Sequence, residues 1–207
     1  MAGLLSDLAL RTRAVCRIAH RCWLAPVVLL LTCWIGNFDL RAGEPEELAW
    51  AALREHGIVL YRHAHAPGGG DPRDMKLGDC ATQRNLDEIG REEARRIGNK
   101  LRAKRIEVGR VAASQWCRTA ETADLALPGR KEFEPAFNSF FDDRSRGPVQ
   151  TEQARAILSG WRGPGALVVF THHVNIQALT GLAVASGEGV VVKVVEGRIA
   201  VVGRIAP

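Results

Sequence analysis

Three short segments of this 207-residue chain hold the residues best suited to chemistry. The first is Ile58-Val59-Leu60-Tyr61-Arg62-His63-Ala64-His65, an apolar run closing on an arginine and two histidines just before Pro67-Gly68-Gly69-Gly70. The second is Ser114-Gln115-Trp116-Cys117-Arg118, and the third is Thr171-His172-His173, behind the apolar run 166–170. A buried strand does not normally finish with so much polar capacity unless its end opens onto a site. Arg62 and Arg118 offer permanently charged, bidentate contacts to phosphate oxygens. Arg118 also falls at the start of a helical pattern, where unpaired backbone N–H groups favour the same ligand. A neutral imidazole among such cations is a nucleophile towards phosphorus, because the guanidiniums neutralise the charge that repels attack. His63 is therefore the candidate nucleophile, Arg62 its phosphate-binding neighbour and His172 a further ligand for the equatorial oxygens. This is phosphoryl transfer without a metal.

The elements that must position these residues alternate between strand and helix. A short helix over 46–54 precedes a strand at 57–61, and residues 66–83 form a loop dense in Gly, Pro and Asp. Asp87 has the position of an N-cap for a helix running to about residue 104, with Ile89, Ala94, Ile97 and Leu101 on its apolar face and Glu92 and Arg96 on its wet side. A strand at 108–113, a helix from about 118 to before Pro128, an extended segment at 132–140 and a polar loop at 142–148 follow. A helix over 151–160, a buried strand at 166–170 and a helix over 175–185 come next. Strands 190–195 and 199–204, joined at Glu196-Gly197, make a β-hairpin. The order predicts an α/β three-layer sandwich with a mostly parallel central sheet and a C-terminal β-hairpin. Parallel strands bring Arg62-His63, the 114–118 segment and His172-His173 to one sheet edge.

Leu60-Tyr61-Arg62-His63-Ala64 resembles the Arg-His-Gly signature of the histidine phosphatase superfamily, the phosphoglycerate-mutase-like fold. Three further stretches resemble the same family in the same order: 86–94 its first long helix, 114–123 its second arginine motif, and Val168-Val169-Phe170-Thr171-His172 its second histidine strand. The resemblance covers about residue 58 to the C-terminus. It implies that His63 carries a transient phosphoryl group, with Arg62, Arg118 and His172 forming the rest of the pocket and no cofactor or metal required. Ala64 stands where the motif has glycine, adding a methyl beside the nucleophile. The family's proton donor has no clear counterpart: Asp142 is the first candidate, with Asp143 and Asp71 as alternatives. A carboxylic acid there protonates the departing alkoxide; without one, aryl phosphates and phosphoamidates are the better substrates. Arg84 is a candidate substrate-binding residue, balanced by a reading as a solvated loop cation. His65 and His173 read as bystanders, and Trp116, Phe140 and Phe141 as core packing with the option of lining the mouth. The expected activity is hydrolysis of small phosphomonoesters or phosphoamidates, since so short a chain has little to close over a mutase's substrate.

Two other classes compete. His63 and His65, with His172, His173 and Asp71, could hold a zinc ion in a metal-dependent hydrolase, although two arginines beside a divalent cation repel it. A phosphate-binding module without turnover would keep the pocket and lack the acid. Composition is that of a folded protein, 46% hydrophobic and 25% charged. Of the net charge of +5, residues 1–42 hold +3 through Arg11, Arg13, Arg17, Arg21 and Arg41 against Asp7 and Asp39, so no basic stripe marks a nucleic-acid partner. Those residues read as a signal peptide or N-terminal anchor: four arginines precede an apolar run at 23–35, shorter than a membrane-spanning helix needs, with cleavage expected after Ala42. The catalytic domain is then 43–207 and the protein exported, periplasmic or secreted, with no membrane contact beyond the leader and no oligomeric state implied. Removing the leader takes Cys16, Cys22 and Cys33 with it. Cys80 and Cys117 remain, either as one disulfide or as two separate thiols.

Overall fold

The computed structural model describes residues 45–207, so the expected leader lies outside the described residues. Helix α1 (Pro45–Arg54) leads into strand β1 (Ile58–Arg62), followed by a long loop and α2 (Glu88–Ala103). Then come β2 (Val108–Ala113), α3 (Cys117–Ala126), a short β3 (Lys131–Phe133), α4 (Gly147–Gly160), β4 (Ala166–Thr171) and α5 (His173–Thr180). Strands β5 (Gly189–Val195) and β6 (Arg198–Ile205) close the chain. They form the expected hairpin, with Glu196 and Gly197 both at positive φ, the conformation a two-residue type I′ connection requires.

The six strands form one sheet in the order β3-β2-β4-β1-β5-β6. β3, β2, β4 and β1 run parallel, whereas β5 and β6 are antiparallel additions. Side chains alternate strictly across β1. Val59 and Tyr61 join Trp50, Leu53, Ile97, Leu101 and Ala126 in the core under α1, α2 and α3. Ile58 and Leu60 join Leu158, Ile176 and Phe137 in the core under α4 and α5. Both faces of the central strands are thus covered, which explains why β1 and β4 are apolar at almost every position. The predicted three-layer sandwich is the observed architecture. No helix among the described residues is long and apolar enough to cross a membrane.

Four expected elements differ. Ile89 is 60% exposed, so it is not part of the apolar face of α2. That face is set instead by Gly90 and Gly98, where a Cβ would stand 2.0 Å from the His65 carbonyl oxygen and 2.1 Å from that of Ala126. Extended structure does not continue from 132 to 140: Pro135, which has no N–H to give a ladder, opens a 3₁₀ turn at Pro135–Phe137. α4 begins at Gly147, ahead of the expected 151, because Pro148 lies in the first turn that proline favours. α5 ends at Thr180 rather than 185, stopped by Gly181 in the left-handed conformation with its N–H bonded to the Gln177 carbonyl. Asp87 does cap α2, accepting from the Gly90 N–H at 2.9 Å.

Candidate active site

Register places the polar ends together. Arg62 pairs with Thr171 and Ala113 with Phe170, and the chain continues from these into His63, His172 and Ser114 at the carboxyl edge of the sheet. The His63 N–H bonds the Thr171 carbonyl at 2.9 Å and the Ser114 N–H bonds that of Phe170 at 3.0 Å, so the ladder runs up to the site. There a cavity of ≈ 130 Å³ is lined by Arg62, His63, Arg84, Arg118, His172 and Asp142, with the Gly68–Gly70 backbone, Asp71, Ser139, Phe141 and His173 completing the wall.

His63 is buried, and its Nδ1 lies 2.8 Å from the Ala64 carbonyl oxygen. A carbonyl only accepts, so Nδ1 is the protonated nitrogen and Nε2 carries the lone pair. Burial pushes the imidazole well below the ordinary histidine range, and the Arg118, Arg62 and Arg84 charges push the same way against the Ala64 hydrogen bond. The ring is therefore neutral at neutral pH. His172 is also buried, with its ring centroid 5.4 Å from that of His63. Its Nε2 sits 2.8 Å from Ser114 Oγ and 3.3 Å from Thr119 Oγ1, which leaves Nδ1 as the nitrogen for a ligand. Burial lowers its pKa as well, with Arg118 and His63 contributing.

The three guanidiniums are each anchored by hydrogen bonds. Arg62 donates to the Val184 carbonyl at 2.9 Å, and Arg84 to the Ala66 and Gly68 carbonyls at 2.7 Å each. Arg118 donates to both Asp71 carboxylate oxygens, at 2.8 and 3.0 Å. Among the described residues five buried polar side-chain atoms lack a partner, and three of them are the Nε atoms of Arg62, Arg84 and Arg118. All three residues line the cavity, and three guanidiniums around one cavity make a site suited to an anion. Three guanidiniums against Asp71 and Asp142 leave it net positive.

Asp71 is not a proton donor here. Its side chain is 3% exposed and accepts hydrogen bonds from Arg118, the Arg84 N–H and the Trp116 indole. Burial alone would raise its pKa, but the Arg118 hydrogen bonds and charge, the Arg84 N–H and the Trp116 indole outweigh it and hold the carboxyl below its usual range. It orients Arg118. Asp143 caps the 3₁₀ turn Arg144–Arg146 through the Ser145 N–H and does not line the cavity. Asp142 does line it, exposed and at the mouth. Arg84 is a wall residue rather than a solvated cation.

His65 turns away: its Nδ1 is 3.0 Å from the Asp87 carboxylate, and it contributes nothing to the cavity wall. The strand ends at Arg62, so His63 and His65 do not share the strand face a zinc site would need. No group of three or more His, Cys, Asp or Glu side chains among the described residues is placed to hold a metal ion. The Ala64 methyl is fully buried in a small cluster with Ala66, Leu86 and Ala94, away from the cavity. The Ala64 N–H donates to Thr122 Oγ1, which in turn donates to the Arg118 carbonyl, tying the loop after His63 to α3. Phe140 and Trp116 are buried, as core packing predicts, whereas Phe141 lies at the mouth and His173 is a wall residue.

Sequence reasoning missed one feature and did not decide another. A network around Asn138, bonded to Gln115, Gln150 and Asn175, fixes the segment that carries Ser139, Phe141 and Asp142. Cys80 and Cys117, left open between two states, form a disulfide with a Cα separation of 5.6 Å. It ties the 66–85 loop to the residue before Arg118.

No family model matches the sequence, and no curated protein does. Comparison with solved structures shows what the fold is. The protein histidine phosphatase SixA, solved with tungstate, is similar over 72% of this chain and 96% of its own, at 18% identity and a TM-score of 0.51. Phosphoglycerate mutase from Thermus thermophilus is similar over 73% of this chain and 99% of its own, at 18% identity and a TM-score of 0.52. Phosphoserine phosphatase from Entamoeba histolytica, solved with phosphoserine, is similar over 72% and 95%, at 10% identity and a TM-score of 0.51. The chain has the phosphoglycerate-mutase-like fold of the histidine phosphatases.

Proposed function

We propose that the protein is a histidine phosphatase that hydrolyses small phosphomonoesters or phosphoamidates through a phosphohistidine on His63. The observation that carries this reading is the neutral, tautomer-fixed imidazole of His63 in a cavity lined by the three guanidinium residues Arg62, Arg84 and Arg118. In the first step His63 Nε2 bonds to phosphorus as the bond to the leaving group breaks. Asp142, as the acid, gives the departing atom its proton. In the second step water attacks the phosphoryl group, passing a proton to the Asp142 carboxylate while the P–N bond breaks and inorganic phosphate leaves. Arg62, Arg84, Arg118 and His172 hold the equatorial oxygens in both steps. Hydrolysis is expected to persist in a chelator, to be inhibited by vanadate and to collapse in His63→Ala. Loss on chelation alone would favour a metal hydrolase, and phosphate binding without turnover a binding module. The similar phosphoserine phosphatase, solved with phosphoserine, is consistent with a small phosphorylated substrate.

Residues 1–42 are proposed to direct export, with 43–207 as the catalytic domain. The Cys80–Cys117 disulfide suits an oxidising compartment. N-terminal sequencing of the mature protein tests it: a chain that still begins at residue 1 would defeat cleavage.

A further inference from the structure

The cavity around His63 is too small for a whole substrate. Its ≈ 130 Å³ corresponds to about four waters, the size of a phosphate group, against several hundred Å³ for sites that enclose an organic ligand. The organic group must lie at the mouth, and the mouth is not polar throughout. Phe141 is 38% exposed although the residue before it is buried. The Arg144 guanidinium lies 4.9 Å from its ring centroid, and the His173 ring 5.7 Å away at 59°. A lone exposed phenylalanine is ordinary; one held by two neighbours on the rim of an anion site is placed. Across from this segment the loop presents bare backbone. A Cβ at Gly69 would meet nothing within 4 Å, and one at Gly70 would first meet Asp142 Oδ1 at 4.0 Å. The mouth is therefore a slot lined by glycine backbone and by an aromatic ring. Beyond it a groove of ≈ 490 Å³, lined by Asp71, Pro72, Arg73, Met75 and Asp142, gives the organic group somewhere to extend.

We propose that Phe141 is a specificity-determining residue and that the site takes phosphate carried on a planar aromatic ring in preference to phosphate on an alkyl chain. The inference rests on the phosphate pocket of the proposed function and adds the identity of the group the phosphate is attached to. A ring entering the slot lies against Phe141, where offset or edge contacts between rings are favourable beyond the area they bury. His173 and Arg144 keep Phe141 in place.

The test uses the full-length protein and two phosphonates, whose P–C bond cannot be hydrolysed, so binding is read apart from turnover. Calorimetric Kd values for phenylphosphonate and methylphosphonate are measured on wild type, Phe141→Leu and Phe141→Tyr. Phenylphosphonate is expected to bind about tenfold more tightly than methylphosphonate to wild type and to Phe141→Tyr, and the advantage is expected to vanish in Phe141→Leu. Equal affinities in wild type, or an advantage kept in Phe141→Leu, would overturn the proposal. The ratio of kcat/KM for phenyl phosphate over an alkyl phosphate should follow the same order. Selective phosphonate binding without any turnover would sink the phosphatase reading while upholding the aromatic slot.

Discussion

Breaking the Cys80–Cys117 bond tests how the site is held together. The disulfide closes a span of 37 residues that contains Arg84 and abuts the loop carrying Asp71. Loop-closure entropy for that length gives about 4 kcal/mol of stabilisation. For a folded unit of roughly 160 residues, with about 2.1 cal/mol/K of unfolding entropy per residue, this is a drop of about 12 °C in Tm. The effect should not be confined to stability. The Gln83 side chain bonds the Cys117 N–H at 2.9 Å, the Arg84 N–H bonds Asp71 at 3.1 Å, and Asp71 bonds Arg118, so the loop and α3 meet through one continuous set of contacts beside the disulfide. If a third of the ~4 kcal/mol must be recovered when an anion orders the loop, affinity falls about tenfold. The perturbation is the double variant Cys80→Ser/Cys117→Ser, with wild type in reductant as a second arm. The assays are calorimetric melting and vanadate binding. A Tm drop below about 3 °C with unchanged vanadate affinity would refute the reasoning, because the remaining contacts would then suffice to hold Asp71 and Arg84 in place.

Three other perturbations address the site directly. Asp142→Asn should slow alkyl phosphates at least about tenfold more than aryl phosphates, whose leaving groups need less protonation, while Asp143→Asn should not; equal slowing of both substrates by Asp142→Asn would remove it as the acid. Asp71→Asn leaves the buried Arg118 charge uncompensated and should cost about 3–5 kcal/mol in urea unfolding, and vanadate, as a replacement anion, should raise the variant's Tm more than that of wild type. Equal vanadate shifts would contradict the pairing. The buried His63 and His172 stay neutral in the native state, below the pH at which the unfolded chain takes up their protons near 6.5. Stability should therefore be lost as pH falls below about 6.5, by about 1.4 kcal/mol per pH unit for each histidine until its native pKa is reached. A urea midpoint flat from pH 7 to pH 5 would mean these rings are not held neutral.

The sequence by itself determined the sheet, the helices on its two faces and the edge at which Arg62, His63, Arg118 and His172 meet. Buried parallel strands must be apolar throughout, so the first polar residues after them announce where the edge is. The cap at Asp87 and the turn at Glu196-Gly197 were legible because each is a local interaction within a few residues. Tertiary structure alone decided what depends on distant segments meeting. Asp71 looked like a candidate acid until Arg118, Trp116 and the Arg84 N–H were brought around it, and its environment makes it a fixed carboxylate instead. Asp142 and Asp143 are adjacent in sequence, and only the direction of the backbone sends one to the cavity and the other to Ser145. Ile89 fits the helical period but is exposed, because close backbone approaches at Gly90 and Gly98 set the rotation of α2. His65 repeats His63 in type, yet β1 ends before it and Asp87 captures its ring. Residue type and spacing locate the cationic pocket; the charge state and orientation of each group in it come from neighbours far away in the chain.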